Sequence, residues 1–272
     1  CADTATAVVN NINGVLASLA SSTNLTCFQS ADGAIDVDAT SGTPAYTYAW
    51  TPNVSATDIA NGLAAGNYSV VVTDAAGCTS TVTITLSEPP LLSVVATASP
   101  NAVCVGSPVT LTAVAAGGTP GYTYTWTQGQ LIGAIQNIVP VGIGYYPIQV
   151  VDANGCTATD SVLVTVNEMP TAVFSSDVTS GCAPLCVNFD DISTILAPAA
   201  ITTWLWDFGD QSTSTQQNPN HCYTTPGNYD VTLTVTTGDG CTHTVTIANY
   251  IQVFGMPVAA FSASPHQTTI LN

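Results

Sequence analysis

The chain has 272 residues and contains 17 Asp and Glu but no Lys or Arg, which gives a formal net charge of −17. Proteins recognise nucleic-acid phosphates and anionic membrane surfaces through Lys and Arg, so this composition excludes nucleic-acid binding and electrostatic docking on a membrane. Apolar residues still make up 46% of the chain, which predicts folded domains and not a disordered acidic segment.

A repeated tripeptide that ends in Gly-Cys divides the chain. It occurs three times, each time before a Thr-rich run of alternating apolar residues: Ala76-Gly77-Cys78, Asn154-Gly155-Cys156 and Asp239-Gly240-Cys241. Cys1 fits the same position at the end of an upstream module. The spacing predicts modules of about 80 residues joined by short proline-containing linkers.

In chain order, we predict five segments. They are the end of an upstream module (1–13), a first module (14–89), a second module (90–169), a third module (170–255) and the start of a further module (256–272). Each of the three complete modules contains apolar residues that alternate with Thr or Ala, the period of two typical of a strand with one buried face. The clearest runs are Tyr46/Tyr48/Trp50, Val82/Ile84/Leu86, Tyr122/Tyr124/Trp126 and Val231/Leu233/Val235.

These short strands and their Gly-Pro turns predict an all-β fold of tandem immunoglobulin-like β-sandwich modules in an elongated array. Trp50, Trp126 and Trp206 occupy equivalent places, and we expect them to be core residues packed on a disulfide; the alternative is an exposed platform for sugars. Three tyrosines are expected to be tyrosine-corner residues: Tyr68, Tyr146 and Tyr229. Trp204 is the candidate for the opposite face of its sheet.

The nine cysteines indicate an oxidising, extracellular environment. If each module closes on itself, the pairs are Cys27–Cys78, Cys104–Cys156, Cys182–Cys241 and Cys186–Cys222, and Cys1 needs an upstream partner. A metal–thiolate site is the competing interpretation, but no two cysteines have the CxxC spacing of zinc ligands.

No catalytic constellation is visible, so we predict a protein that is not an enzyme and has no cofactor. Calcium is the one cation considered, because two pairs of carboxylates are suitably spaced. Asp36 and Asp38 share a strand face, and Asp207 and Asp210 flank Gly209. For the second pair the alternative is a structural role, in which the carboxylates accept backbone N–H bonds in a tight turn.

Longer motifs in the chain resemble those of two known families. The first module resembles the SprB-type repeat of giant gliding-motility adhesins of Bacteroidetes-type bacteria, through Gly42-Thr43-Pro44 to Trp50 and Thr73-Asp74-Ala75-Ala76-Gly77-Cys78. The second module keeps both motifs but departs from the family around Pro147. The third module resembles a PKD domain, through Trp206-Asp207-Phe208-Gly209-Asp210, His221-Cys222-Tyr223 and Pro226-Gly227-Asn228-Tyr229.

The resemblance implies type IX secretion and display on the cell surface, as a structural or adhesive stalk segment of a long adhesin or extracellular filament, with roles in surface attachment or gliding motility. Its partners would be surface polysaccharides, other cell-surface ligands or copies of itself, without direct membrane insertion. The alternative is a polysaccharide-binding accessory region of a secreted hydrolase. Thr4 and Ser161 follow Asp in triplets that resemble O-glycosylation sites of the same bacterial group.

Overall fold

The computed structural model describes residues 14–260, which form strands, turns and loops and contain no helix. The prediction of an all-β protein is confirmed. Among the described residues, no helix exists that is long and apolar enough to cross a membrane.

By compactness the chain divides into two units. Within the described residues, the first unit comprises 14–101, 109–138 and 144–164, and the second unit comprises 102–108, 139–143 and 165–260. Residues of the second sequence module therefore belong to both units.

The first module, residues 14–89, is a sandwich of two three-stranded antiparallel sheets. Its strands are β1 (Leu16–Thr23), β2 (Gly33–Thr40), β3 (Thr47–Thr51), β4 (Ile59–Leu63), β5 (Gly66–Thr73) and β6 (Thr79–Leu86). The sheet orders are β1-β2-β4 and β3-β5-β6. Ile35 and Val37 from one sheet and Trp50, Val70 and Val72 from the other form one buried core. Burial of the inward face of both sheets, at about 25 cal/mol per Å² of apolar surface, is what holds the layers together.

The second module has a five-stranded and a three-stranded sheet. Its strands are β7 (Ser93–Ser99), β8 (Ala102–Cys104), β9 (Val109–Ala116), β10 (Thr123–Trp126), β11 (Leu131–Ile132), β12 (Ile135–Ile138), β13 (Gly144–Val151) and β14 (Thr157–Asn167). The orders are β11-β10-β13-β14-β8 and β12-β9-β7. All these pairings are antiparallel except β8, which runs parallel to the end of β14.

The third module repeats this plan. Its strands are β15 (Phe174–Ser176), β16 (Ser180–Cys182), β17 (Leu185–Asp191), β18 (Ile201–Asp207), β19 (Thr213–Ser214), β20 (Asn220–Tyr223), β21 (Gly227–Thr237) and β22 (Thr242–Phe254). The orders are β15-β17-β20 and β16-β22-β21-β18-β19. Short β16 runs parallel to the end of β22, as β8 does to the end of β14.

The predicted core residues are buried. Trp50, Trp126 and Trp206 are 4%, 0% and 0% exposed, so the prediction that they are core residues is confirmed and none of them can stack on a sugar. Each indole N–H donates to a backbone carbonyl further along the chain: Trp50 to Thr57 (2.8 Å), Trp126 to Gly133 (3.1 Å) and Trp206 to Gln216 (3.0 Å).

Two expectations about tryptophan are wrong. The described cores around Trp50 and Trp206 consist of aliphatic and aromatic side chains without a cystine, because the disulfides lie elsewhere. Trp204 packs against the core of the third module, on the same face as Trp206. Residues two apart in a strand share a face, and it is Leu205, 50% exposed, that points to the other side.

The hydrogen bond expected of a tyrosine corner is present for Tyr68 and Tyr229. The Tyr68 hydroxyl donates to the Ala64 carbonyl (2.9 Å) and the Tyr229 hydroxyl to the Thr225 carbonyl (2.7 Å), in both cases four residues upstream. Tyr146 is buried at the equivalent place. These bonds tie the loop before β5 and the loop before β21 to the strand that follows.

Candidate functional site: a repeated turn and its cystine junctions

The Gly-Cys tripeptides form one turn that is repeated in all three modules. In the first module the buried Asp74 carboxylate organises it: Oδ1 accepts the backbone N–H groups of Ala76 (3.0 Å) and Cys78 (2.8 Å). Oδ2 accepts the N–H of Thr43 in the neighbouring Gly-Thr-Pro turn (3.0 Å). One carboxylate thus fixes two loops at the same end of the sandwich.

The second module reproduces this geometry with Asp152. Oδ1 accepts from Asn154 (2.9 Å) and Cys156 (2.9 Å), and Oδ2 accepts from Thr119 (2.8 Å). In the third module Thr237 replaces the Asp, and its hydroxyl accepts the Cys241 N–H at 3.1 Å.

The glycine of each tripeptide has a left-handed backbone conformation. The φ angles are +84° at Gly77, +87° at Gly155 and +84° at Gly240. A residue with a Cβ is strained at such angles, which explains why Gly precedes the cysteine every time.

The carboxylates in these turns are stabilised in the ionised form. The hydrogen bond from the Thr43 backbone N–H is the main reason why the pKa of Asp74 is lowered, and burial only partly opposes it. The Thr119 N–H lowers the pKa of Asp152 in the same way.

The cysteines of the second and third turns bond to cysteines of the preceding module. Cys27 bonds to Cys156, 129 residues later in the sequence, with a Cα–Cα distance of 5.7 Å. Cys104 bonds to Cys241, 137 residues later, also at 5.7 Å. Both disulfides join a cysteine of one sequence module to the turn cysteine of the next module, and each lies within one compact unit.

The predicted pairs Cys27–Cys78, Cys104–Cys156 and Cys182–Cys241 are therefore wrong. Cys78 lies just before β6, whereas the chain near Cys27 lies at the other end of this strand, where the Leu25 N–H donates to the Ser87 carbonyl. Eight strand residues separate the two ends by roughly 25–30 Å, while a disulfide requires Cα atoms about 4.4–6.8 Å apart. In the second and third modules, β14 and β22 separate the cysteines in the same way.

The fourth predicted pair is confirmed. Cys186 on β17 and Cys222 on β20 are directly opposite each other in adjacent antiparallel strands and form a disulfide within the third module.

We call Cys27, Cys104 and Cys182 the strand-end cysteines, and Cys78, Cys156 and Cys241 the turn cysteines. Two of these six residues, Cys78 and Cys182, form no disulfide with another cysteine of residues 14–260, and both are exposed. Cys1 lies outside the described residues.

Polar contacts accompany the junction between Cys27 and Cys156. The Asn154 side-chain amide donates to the Thr26 carbonyl (2.9 Å) and to the Thr119 hydroxyl (2.9 Å), so it links the second module's turn to the loop that carries Cys27. A small cavity of about 320 Å³ beside the cystine is lined by Phe28, Pro90 and Leu91, among others.

The carboxylates considered as calcium ligands are placed as follows. Asp36 and Asp38 lie on the face of β2 opposite the buried Ile35 and Val37. Within residues 14–260, no group of three or more His, Cys, Asp or Glu side chains is arranged to hold a metal ion.

Asp207 and Asp210 instead have the structural role in a turn that was the alternative to calcium binding. The Asp207 carboxylate accepts the Gly209 N–H (2.9 Å), and the Asp210 carboxylate accepts the Ser212 N–H (3.0 Å). Asp210 also contacts the His221 ring at 2.8 Å. Burial opposes ionisation of Asp210, but the hydrogen bonds from His221 and Ser212 outweigh it and leave the pKa lowered.

The His221 ring belongs to the core side of the third module. It stacks on Phe208 with ring centroids 4.3 Å apart and meets Tyr223 edge-on at 4.6 Å. The Tyr223 hydroxyl donates to the Phe208 carbonyl (3.1 Å). These contacts give His221 a structural role, as expected for a histidine within this motif.

A shallow surface groove of about 540 Å³ lies beside Trp204. The Trp204 indole N–H donates to the Asp191 carboxylate (2.6 Å), and the Gln217 amide donates to the same carboxylate (3.2 Å). An aromatic ring beside an acid and an amide offers the kinds of groups that bind sugars, and the sequence pattern points to the buried tryptophans and not to Trp204 for this role.

The two glycosylation candidates fall in different places. Ser161 is exposed on β14, while the preceding Asp160 carboxylate accepts the Ala96 N–H at 2.7 Å. Thr4 lies outside the described residues.

Comparisons with protein families match two parts of the chain. Residues 19–55 match the SprB repeat and residues 167–253 match the PKD domain. A microbial collagenase of Vibrio alginolyticus is 37% identical over 89 residues, which are 33% of this chain and 11% of the collagenase. The pre-pro-metalloprotease PrtV of Vibrio cholerae is 53% identical over 49 residues, 17% of this chain and 5% of that protein. The chain thus spans only about a tenth or less of these relatives.

Among solved structures, the PKD1 domain of Vibrio cholerae metalloprotease PrtV has 36% sequence identity and a TM-score of 0.28, covering 31% of this chain and 96% of that domain. The titin I-band fragment I67–I69 has 12% identity and a TM-score of 0.42, covering 90% of this chain and 99% of the fragment.

Proposed function

Since the chain contains an SprB repeat and a PKD domain, we propose that it is a structural segment of an extracellular surface protein, and specifically the load-bearing stalk of a long adhesin or filament. PKD and immunoglobulin-like domains are typically non-catalytic. The disulfides and the absence of Lys and Arg are consistent with an extracellular location. Secretion through the type IX system and a part in gliding motility or attachment belong to the same proposal.

The observation that supports this function best is the way the cystines connect the modules. Cys27–Cys156 and Cys104–Cys241 tie successive sequence modules together, where a set of independent binding domains needs only internal bonds. A bond between modules limits how far a pulled chain can lengthen when its sheets unfold. That property is useful in a stalk that carries force between a cell and a surface.

Single-molecule pulling tests the proposal. With both cystines intact, the shortest covalent path from residue 14 to residue 260 runs through both of them and has a stretched length of roughly 300 Å at about 3.6 Å per residue. With all disulfides reduced, the same segment extends to roughly 900 Å. We expect the short limit for the oxidised chain and the long limit after reduction.

The matched control is a chain in which only Cys186 and Cys222 are replaced by Ser. Their bond lies off the shortest path, so the oxidised limit stays near the short value. An oxidised chain that extends to the long limit at low force would contradict a load-bearing role.

A second candidate function is that of a polysaccharide-binding accessory region in a secreted hydrolase. The groove formed by Trp204, Asp191 and Gln217 favours it. Co-sedimentation of the chain with insoluble chitin and cellulose tests this function. Binding that is lost in Trp204→Ala but kept in Leu205→Ala, an exposed residue on the other face of β18, would support the accessory role over the stalk. Absence of binding to both polymers would count against it.

A further inference from the structure

A cleft at the boundary between the second and third modules combines apolar walls with two carboxylates. It has a volume of about 390 Å³, and its lining includes Ile143, Leu196 and Pro198 together with the acidic residues Glu168 and Asp239. All five residues belong to the second compact unit. We call this set of residues the boundary cleft.

The apolar wall of the boundary cleft is open to solvent. Ile143 is 67% exposed in the loop before β13, and Leu196 is 69% exposed in the loop between β17 and β18. That second loop, residues 192–200, contains no charged side chain. Exposed apolar side chains that line one depression, with polar residues at its rim, are typical of a surface that binds a partner.

The two carboxylates of the cleft have no cation to pair with inside the chain. The sequence contains no Lys or Arg, and the one contact between a carboxylate and a histidine among residues 14–260 is His221–Asp210. Glu168 and Asp239 are both exposed. A positive charge that complements them must therefore come from another molecule.

The equivalent turn of the second module shows what the boundary cleft lacks. Asn154 has the position of Asp239 in its Gly-Cys tripeptide, and its side-chain amide donates to the Thr26 carbonyl of the preceding module (2.9 Å). An ionised Asp side chain has acceptors but no donor. At the boundary cleft the turn side chain thus offers an acceptor where the previous turn offers a donor, so a donor from a partner fits this place.

An arginine side chain has both features that the cleft requires. Its aliphatic stem can cover apolar surface while its charged end remains at a polar rim. The planar guanidinium group only donates hydrogen bonds, matches carboxylates in geometry and is more weakly hydrated than the ammonium group of lysine. A metal ion supplies charge but no apolar stem, and residues 14–260 contain no group of three or more His, Cys, Asp or Glu arranged to hold one.

We propose that the boundary cleft binds an arginine side chain of a partner protein, with the guanidinium group at Glu168 and Asp239 and the stem against Ile143 and Leu196. A second copy of this chain is excluded as the partner, because it contains no Arg or Lys. The partner is a different protein with an exposed basic segment, which a chain of net charge −17 also attracts over a distance. The inference goes beyond the proposed function, since this contact requires neither mechanical load nor a polysaccharide.

NMR titration of the isotope-labelled full-length chain with short synthetic peptides tests the proposal. The probe is an acetylated and amidated peptide that carries one arginine between two leucines, in a buffer of physiological ionic strength. In one control peptide citrulline replaces the arginine, which keeps the stem and removes the charge. In a second control peptide diaminopropionic acid replaces it, which keeps a positive charge and removes the long stem.

We expect the arginine peptide to shift the amide signals of Leu196 and Asp239 and to bind about fivefold more tightly than either control peptide. Glu168→Gln/Asp239→Asn and Leu196→Ser should each weaken its binding by about the same factor. Asp36→Asn/Asp38→Asn is the matched control, because it removes two charges from the outer face of β2 in the first module. This control variant should bind the arginine peptide as the parent chain does.

Several results would overturn the proposal. They are an absence of binding by the arginine peptide, equal affinity for all three peptides, signal shifts confined to residues outside the boundary cleft, and an equal loss of affinity in the matched control variant. The last result would assign binding to net charge alone. Calcium-induced shifts at Glu168 and Asp239 without any effect of the arginine peptide would assign these carboxylates to a cation and would also contradict the proposal. An unchanged thermal unfolding midpoint shows that each variant folds.

Discussion

At the scale of single residues, Asp74 illustrates how one side chain can define a loop. Its two oxygens accept three backbone N–H groups from two turns, so both oxygens must be hydrogen-bond acceptors. The third module meets part of the same need with the hydroxyl of Thr237. The equivalent residue therefore differs in type but accepts the same cysteine N–H.

We expect Asp74→Asn to destabilise the first module. The Asn side chain has one oxygen and one NH₂ group, so an NH₂ donor must face a backbone N–H donor, and a buried hydrogen bond is lost. The variant should have a lower midpoint in guanidinium chloride unfolding than the parent chain. Asp239→Asn is the control, because Asp239 is exposed in the equivalent turn of the third module and its substitution should leave the midpoint unchanged.

The same carboxylates predict a dependence of stability on pH. The pKa values of Asp74 and Asp152 are lowered on folding, so their contribution is complete above the ordinary carboxyl pKa of about 3.9 and is lost as the pH falls through the lowered values. Thermal unfolding between pH 6 and pH 2 should show a loss of stability that is smaller in an Asp74→Asn/Asp152→Asn double variant. Parallel curves for the two proteins would contradict this assignment.

Residue-level patterns in the sequence identified much of this structure. Alternation located the buried Trp50, Trp126 and Trp206, and the spacing to Gly-Cys located Tyr68 and Tyr229. The hydrogen bond between Asp74 and Thr43 could not be predicted, because the two residues are 31 positions apart in the sequence and meet only after the two sheets have formed.

At the scale of elements, the lengths of β6, β14 and β22 explain why three of four cysteine pairs were predicted wrongly. Each strand begins next to the turn cysteine of its module and ends near the strand-end cysteine. The two cysteines therefore lie at opposite ends of that strand. Sequence spacing alone gives no information about this separation, since it depends on the short parallel pairing of β8 and β16. Cys186–Cys222 was predicted by elimination, and the bond forms because these cysteines lie directly opposite each other on adjacent strands β17 and β20.

The left-handed turn before each of these strands should be sensitive to a side chain. We expect Gly155→Ala to lower the free energy of unfolding by about 1–2 kcal/mol, because an L-residue is strained at a φ of +87° although the space around the new Cβ is open. Urea unfolding monitored by tryptophan fluorescence measures the change.

Gly144→Ala serves as the control for this substitution. Its Cβ also meets open space, and its backbone has no positive φ, so stability should stay the same or rise by about 0.4–1 kcal/mol. Equal losses in the two variants would show that the turn conformation is not the cause.

At the scale of the whole molecule, the charge is as unusual as the cystines. A net charge of −17 without a single Lys or Arg leaves only three His as side chains that can become positive. Among residues 14–260 the one side-chain contact that becomes an ion pair, when its histidine is protonated, is His221–Asp210. Burial, backbone hydrogen bonds and disulfides must therefore hold the chain together against the mutual repulsion of its carboxylates.

We predict that salt raises the melting temperature. At an ionic strength of 0.1 M the screening length falls to about 10 Å, which weakens repulsion between exposed carboxylates. Calorimetry in 10 mM and 500 mM NaCl should give a higher melting temperature in the second buffer. Millimolar CaCl₂ at matched ionic strength should raise it further if carboxylates bind the cation, and a melting temperature unchanged in both titrations would disprove the role of repulsion.

The two cystines between modules also overlap along the sequence, because Cys104 lies inside the loop closed by Cys27–Cys156 and Cys156 lies inside the loop closed by Cys104–Cys241. A single break of the backbone anywhere between these outermost bonded residues, Cys27 and Cys241, leaves both fragments attached to each other through at least one sulfur–sulfur bond. One proteolytic or chemical cleavage within residues 27–241 therefore releases no fragment of this segment.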